Sequence, residues 1–574
     1  MLRTLTCQLL LFPTLVVLLA SASFFCGMTC SAWQWYVAIA ATLAAPFVMR
    51  EGRSAARLSG AAFLATLAIM WLMRFLIIDH WASDMLTCHL PMTRLLAEGW
   101  NPVLDPMGDA ICDRLGIDQW DMSYLHVVFS PKMSAVFNAV ACSFVGDPFA
   151  ISYSIIVLMA LAFLLKAIDV FRYLHWGAGL VICAVTVFGL DYALYLPVDA
   201  TMAFASGGLA LSMYDSLRCR KVDVPGLVLF GTWTLNTKFS GVVPVAVMSL
   251  FIIGSVLRGR LAGGSRWNSG TAKRITCCMA VLVGVTLILN FSPLFTSWSR
   301  FGHPLYPTFT VDKQRCPVMN LAWDFDPAND DARQMGQLGN FVNAYVSPWL
   351  ARKYYSVKLR KKDFSPRRYI WDKRDWMRAA PMRWDARLAV FLSLCVLLCV
   401  RRYRVMGVAE FVLLLAFPGK MMGYMRYQPW VYLFEALAVV AALDAVMGLL
   451  TDRWRRKCWI ALGCCAIAWT GCALLPDGIE AVRVKREEIR NGIPDRVYIK
   501  TYKAPRKPLP VELRCPGYFE PPKYSVNRRN NIKLLLRQLG IADAVRVVGD
   551  CLPRDAKGYR LTRFGYAVKE NCND

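Results

Sequence analysis

Residues 59–102 read SGAAFLATLAIMWLMRFLIIDHWASDMLTCHLPMTRLLAEGWNP. An apolar segment, 59–78, opens onto a polar stretch holding His80, Asp84, His89 and Arg94, which closes on a Gly-Trp-Asn-Pro turn. Segment 59–78 is long enough to cross about 30 Å of hydrocarbon. Ionisable side chains at the edge of such a segment are costly and mark function. Snorkelling explains a lysine or arginine there but not Asp84, because an acid cannot reach far along its short stem.

The pattern repeats along the chain. Of 574 residues, 56% are hydrophobic and only 18% charged, against about 25% charged in an average soluble domain. The apolar runs are continuous rather than alternating, so the backbone is satisfied by helices and not by a barrel. The expected fold is an all-α polytopic membrane protein of about thirteen transmembrane helices. They fall at 5–26, 33–49, 59–78, 148–166, 175–195, 199–215, 225–238, 241–257, 274–296, 387–400, 406–422, 430–450 and 457–475. A net charge of +26 would suit nucleic acid. The basic clusters lie between spans, however, as the positive-inside rule requires, so no nucleic-acid partner is expected.

Those clusters orient the chain. Arg50/Arg53/Arg57, Lys166/Arg172, Arg218/Arg220/Lys221, Arg258/Arg260/Arg266/Lys273/Arg274, Arg401/Arg402/Arg404 and Arg453/Arg455/Arg456/Lys457 all fall on one side when thirteen spans are threaded. That side is read as cytoplasmic. The N-terminus is then inside and the C-terminal tail outside, in a membrane expected to be the bacterial inner membrane. The agreement requires residues 131–145 to be a non-spanning interfacial helix on the outer face. Three regions result: an N-terminal hairpin at 1–58, a transmembrane core at 59–476 with external loops 79–147 and 297–386, and an external α/β domain at 477–574. Residues 1–26 read either as an uncleaved first span or as a signal peptide.

Polar groups gather at the outer ends of the spans. Asp84 and His89 come from the first external loop. Asp199 starts one helix, and Lys238 sits at an outer turn in Leu-Asn-Thr-Lys-Phe-Ser-Gly. His303 follows the ninth span, and Arg426-Tyr427 precede the twelfth. Five segments thus bring opposite charges to one face. Cations there can hold a lipid-linked phosphate, and a carboxylate nearby can take a proton from an incoming hydroxyl. His89 and His303 stand on separate loops without metal-ligand spacing. The sequence requires no cofactor, with a divalent metal beside Asp84 left open.

On these residues the chain resembles the GT-C superfamily of polyprenyl-phosphate-sugar-dependent glycosyltransferases, which includes protein mannosyltransferases and the lipid A aminoarabinose transferase. The resemblance spans about residues 59–450. It is carried by Asp84 in SDMLTCHLP, the acidic turn at Asp199, Thr237-Lys238, Ser-Arg-Phe-Gly-His-Pro-Leu-Tyr-Pro around His303, and Arg426-Tyr427 with Pro429. Met85 stands where many relatives carry a second acid. The resemblance implies transfer of a sugar from a polyprenyl-phosphate donor to a glycan, lipid or protein acceptor on the external face. It makes Asp84 the catalytic residue, as general base or acceptor-positioning group, and Lys238 and Arg426 the phosphate contacts. His89, Asp199, His303 and Tyr427 are then acceptor or sugar contacts. Two alternatives stay open: an O-antigen ligase or polymerase-type enzyme using a polyprenyl-diphosphate donor, and a non-enzymatic flippase for lipid-linked oligosaccharides. Membrane lipids are partners in every case, and the basic, tryptophan-punctuated loop 297–386 suits either a lipid surface or an anionic acceptor.

Overall fold

A computed structural model describes residues 1–48, 52–73, 90–106, 108–115, 130–145, 154–189, 197–261, 270–301, 304, 384–416, 428–491, 497–500, 545–548, 559–561 and 567–569. These residues are mostly helical. Among the described residues, five helices are long and apolar enough to cross a membrane: Leu2–Phe25, Arg53–Leu72, Ser154–Phe171, Phe239–Arg258 and Thr271–Leu289. The chain therefore has the character of a helical, membrane-associated protein.

The first helix, α1 (Leu2–Phe25), is the axis of the bundle. It is buried over most of its surface, with Leu9, Phe12, Val16 and Ala20 fully buried along one face, while Cys7, Leu11, Leu15 and Leu18 on the opposite stripe are only partly covered. Packed on it are α2 (Ala32–Val48), α3 (Arg53–Met73), α6 (Met133–Val145), α7 (Ser154–Phe171), α10 (Val224–Thr237) and α12 (Thr271–Leu289). The Trp233 indole donates to Thr14 Oγ1 at 3.0 Å, tying α10 to the middle of α1. Two short helices, α4 (Leu90–Ala97) and α5 (Asp109–Leu115), precede α6. Beyond α7 come α8 (Trp176–Gly189), α9 (Pro197–Cys219), α11 (Val242–Leu261), α13 (Phe291–Phe301), α14 (Trp384–Cys399), α15 (Arg404–Ala416), α16 (Val431–Met447) and α17 (Asp452–Asn491). Beyond α17, β1 (Val497–Lys500) pairs in parallel with β2 (Val545–Val548), and β3 (Tyr559–Leu561) pairs antiparallel with β4 (Ala567–Lys569).

Three segments differ from expectation. Residues 131–145 form a 13-residue helix, too short to span as expected, but it packs inward rather than lying on the bilayer surface: α6 buries Met133, Val136, Phe137, Val140 and Ala141, with Phe137 facing Phe12 and Trp35. A helix with so little polar surface is a core element. Residues 274–296 form two helices broken at Asn290, because Pro293 lacks the N–H that would continue the ladder. The last apolar stretch belongs to the 40-residue α17, which continues past residue 477, the expected start of the external region.

The basic loops between helices meet at one end of the bundle. Arg3 bonds Asp169 at 2.7 Å and approaches Asp215 at 3.5 Å. Lys166, buried, lies 2.7 Å from Asp223 and 3.7 Å from Asp215. Arg402 lies 2.9 Å from Asp444, which also pairs with Arg455. These contacts join the start of α1, the ends of α7, α9 and α16, the starts of α10 and α17, and the α14–α15 turn. Four of the basic clusters that the sequence assigns to one side are thus in direct contact or on contacting turns.

Candidate functional site

At the other end of the bundle lies the Asp199–Lys238 pair. Asp199 sits in the first turn of α9, sixteen residues from Asp215, which places it about 24 Å away along the helix. Lys238 follows α10, antiparallel to α9, and terminates it with an extended backbone at φ −153° and ψ 144°. The Lys238 ammonium donates to Asp199 Oδ1 at 2.7 Å. The carboxylate is almost closed to solvent, while the lysine side chain is 21% exposed. One partner is therefore reachable from outside and the other braces it.

The turn that carries Lys238 is rigidly held. A Cβ on Gly241 would overlap the Thr234 carbonyl, so the single 3-10 turn Phe239–Gly241 is pressed backbone to backbone against the last turn of α10. Two residues before Lys238, buried Asn236 donates to Thr286 Oγ1 at 3.2 Å and accepts from Asn290 Nδ2 at 2.6 Å. These bonds lock the end of α10 to the end of α12. Sequence reading missed this clasp. An asparagine near each end of two neighbouring apolar helices was its only signal, since buried amides need partners.

The same end gathers other polar groups. Buried Asn101 donates to the Phe24 carbonyl at 2.9 Å and the Met28 carbonyl at 3.2 Å, so the Gly-Trp-Asn-Pro turn covers the end of α1. Phe25 packs edge-on against Phe291, the first residue of α13, at 4.9 Å. Trp100 is buried, and Lys132 lies 5.4 Å over its ring while donating to the Ser130 carbonyl at 3.2 Å.

Burial pushes the Lys132 ammonium down to about 7. Between that value and the ordinary lysine range the unfolded chain binds the extra proton, so this residue makes stability rise with pH there and weakens the fold below it. Lys132→Met is expected to remove that slope and to stabilise the protein most at acidic pH. Thermal unfolding of both proteins across pH 6–10 reads the difference, and parallel curves would exclude the effect.

Of the sequence-predicted residues, the structure brings Asp199 and Lys238 together. Asp84, His89, His303, Arg426 and Tyr427 lie outside the described residues. Their sequence neighbours are informative. Leu90, next to His89, starts α4, which leads into the Trp100–Asn101 cover. Phe301, two residues before His303, ends α13, which starts beside Asn290. Gln428, next to Tyr427, precedes α16, whose far end carries Asp444 in the ion-pair network. Among the described residues no group of three or more His, Cys, Asp or Glu side chains forms a metal site.

No protein-family model, curated protein or solved structure matches the chain.

Proposed function

We propose that the protein is an integral-membrane glycosyltransferase of the GT-C type, crossing the membrane thirteen times with its N-terminus in the cytoplasm and its C-terminal region external. One observation supports this reading most: the Asp199–Lys238 ion pair stands well away from the basic end. It lies at the end of the bundle where α13 and α16 begin, and in sequence α16 begins just after Arg426 and Tyr427. In this reading Lys238 turns from Asp199 toward the phosphate of a polyprenyl-phosphate sugar, and Arg426 holds the same group. Asp84 accepts the proton of the acceptor hydroxyl. The new bond forms at the anomeric carbon as its bond to the phosphate oxygen breaks, and polyprenyl phosphate leaves with the electron pair, stabilised by the two cations. Asp199 holds the lysine in place.

A flippase is the second reading because of one feature inside the bundle. Glu410 of α15 is buried, with Ser393 donating to it at 2.6 Å, and Glu435 of α16 is its electrostatic neighbour. Buried acids at membrane depth suit a translocation path. The two readings separate in one experiment on reconstituted protein. Asp84→Asn should abolish sugar transfer while Glu410→Gln leaves it largely intact. Transfer that survives Asp84→Asn removes that aspartate from the mechanism. Lipid-linked sugar movement lost only in Glu410→Gln establishes the flippase.

A further inference from the structure

The basic end of the bundle contains a feature that the ion-pair network alone does not require. Two guanidinium groups from different connections close on one tyrosine ring. Arg218, in the last turn of α9, lies 4.2 Å from the Tyr173 ring centre, and Arg402, in the α14–α15 turn, lies 5.4 Å from the same centre. A cation within about 6 Å of an aromatic ring is attracted to it, so one ring holds two guanidiniums at this end. Each arginine commits one nitrogen to a carboxylate: Arg218 Nη2 to Asp215 at 2.9 Å, and Arg402 Nη1 to Asp444 at 2.9 Å. A guanidinium carries five N–H donors, so donors remain on both. The Tyr173 hydroxyl lies 3.1 Å from that of Tyr214 and 3.4 Å from that of Tyr403, adding hydroxyl groups beside them. Tyr173 is 36% exposed, and the side chains of Arg218 and Arg402 are 28% and 50% exposed, so the cluster is open to a ligand.

A second observation points the same way. Arg220, two residues after Arg218, holds φ at +53°, alone among the described non-glycine residues in that region. A side chain there costs about 1–2 kcal/mol that glycine would not incur. This turn ends α9 and sets a further exposed guanidinium two residues from Arg218. The charge balance agrees. In the network Arg3, Lys166, Arg172, Arg218, Arg402 and Arg455 face Asp169, Asp215, Asp223 and Asp444, so cations outnumber carboxylates by two. Exposed Arg220, Lys221, Arg401 and Arg404 add to the excess. Exposed Trp176 and Trp454 rim this end, the residue type that settles at a membrane interface.

We infer that Arg218 and Arg402, bracketing Tyr173 with Arg220 beside them, form a binding site for the phosphate of an anionic phospholipid headgroup in the leaflet at the basic end. Paired guanidiniums fit phosphate oxygens in a way an ammonium does not.

The test uses the purified full-length protein in nanodiscs of phosphatidylcholine with or without phosphatidylglycerol. Thermal unfolding and native mass spectrometry of retained lipid are the readouts. Phosphatidylglycerol should raise the unfolding midpoint and persist as a bound lipid. The double variant Arg218→Lys/Arg402→Lys retains both positive charges near Asp215 and Asp444, and it should bind phosphatidylglycerol about tenfold more weakly. Arg220→Gly should move the two readouts oppositely, unfolding at a higher temperature while retaining less phosphatidylglycerol. Equal behaviour of the wild type in both nanodiscs, or undiminished binding by the double variant, overturns the site. If inorganic phosphate in lipid-free detergent reproduces the whole effect, the ligand is a soluble phosphate and the lipid assignment fails.

Discussion

Lys238→Met is expected to abolish sugar transfer and to destabilise the protein together, because it strips Asp199 of the ammonium 2.7 Å away. Removing one partner of a buried pair costs about 3–5 kcal/mol. Lys238 is a fifth exposed, so the loss should fall toward the lower end of that range. Lost activity in this variant would then carry two explanations, a missing phosphate contact or a damaged fold. The double variant Asp199→Asn/Lys238→Met separates them. It replaces the pair with neutral side chains of similar size, and such replacements of buried ion pairs are often neutral for stability. Its unfolding temperature should return most of the way to wild type while transfer stays absent. A double variant that is both stable and active would reduce the pair to a structural brace and remove Lys238 from the site.

The sequence carried much of this arrangement, for reasons visible in particular residues. Continuous apolar runs identified the stretches now seen as helices, since burial in hydrocarbon or in a helix core leaves the same pattern. The basic clusters predicted a common side, and the contacts of Arg3, Lys166, Arg402 and Arg455 with shared aspartates give that prediction a geometric counterpart. Apolarity could not distinguish α6 from an interfacial helix, because thirteen residues suit either one. Its burial against Phe12 and Trp35 depends on partners far away in sequence. The break at Asn290 was legible in principle from Pro293, which hydropathy alone overrides. Asp199 and Lys238 were each recognisable as ionisable groups at helix ends. Their pairing was not, because it depends on the antiparallel alignment of α9 with α10, and a separation of 39 positions in the chain hides that alignment.

Helix packing on the far side of the bundle rests on a contact with equally sharp consequences. Gly177 of α8 faces α17 so closely that a Cβ there would overlap the Trp459 carbonyl, and a Cβ on Gly463 would come within 2.9 Å of the Gly177 Cα. Between helices in hydrocarbon no hydrophobic force acts, so close backbone approach at small residues supplies the attraction instead. Gly177→Ala should therefore destabilise the protein by about 1–3 kcal/mol, at the upper end because backbone obstructs the new methyl and cannot rotate away. The effect should extend beyond the contact: α17 carries Arg455 to Asp444, so pushing it outward also strains the network at the basic end. Gly254→Ala supplies the comparison. That glycine lies within α11, and an added methyl there would meet nothing within 4 Å. Alanine at that position should be neutral or stabilising by up to about 1 kcal/mol. Thermal unfolding of the two variants in one detergent decides the matter. Should Gly177→Ala melt with the wild type, α8 and α17 do not touch at this pair, and the packing of the last long helix must be redrawn.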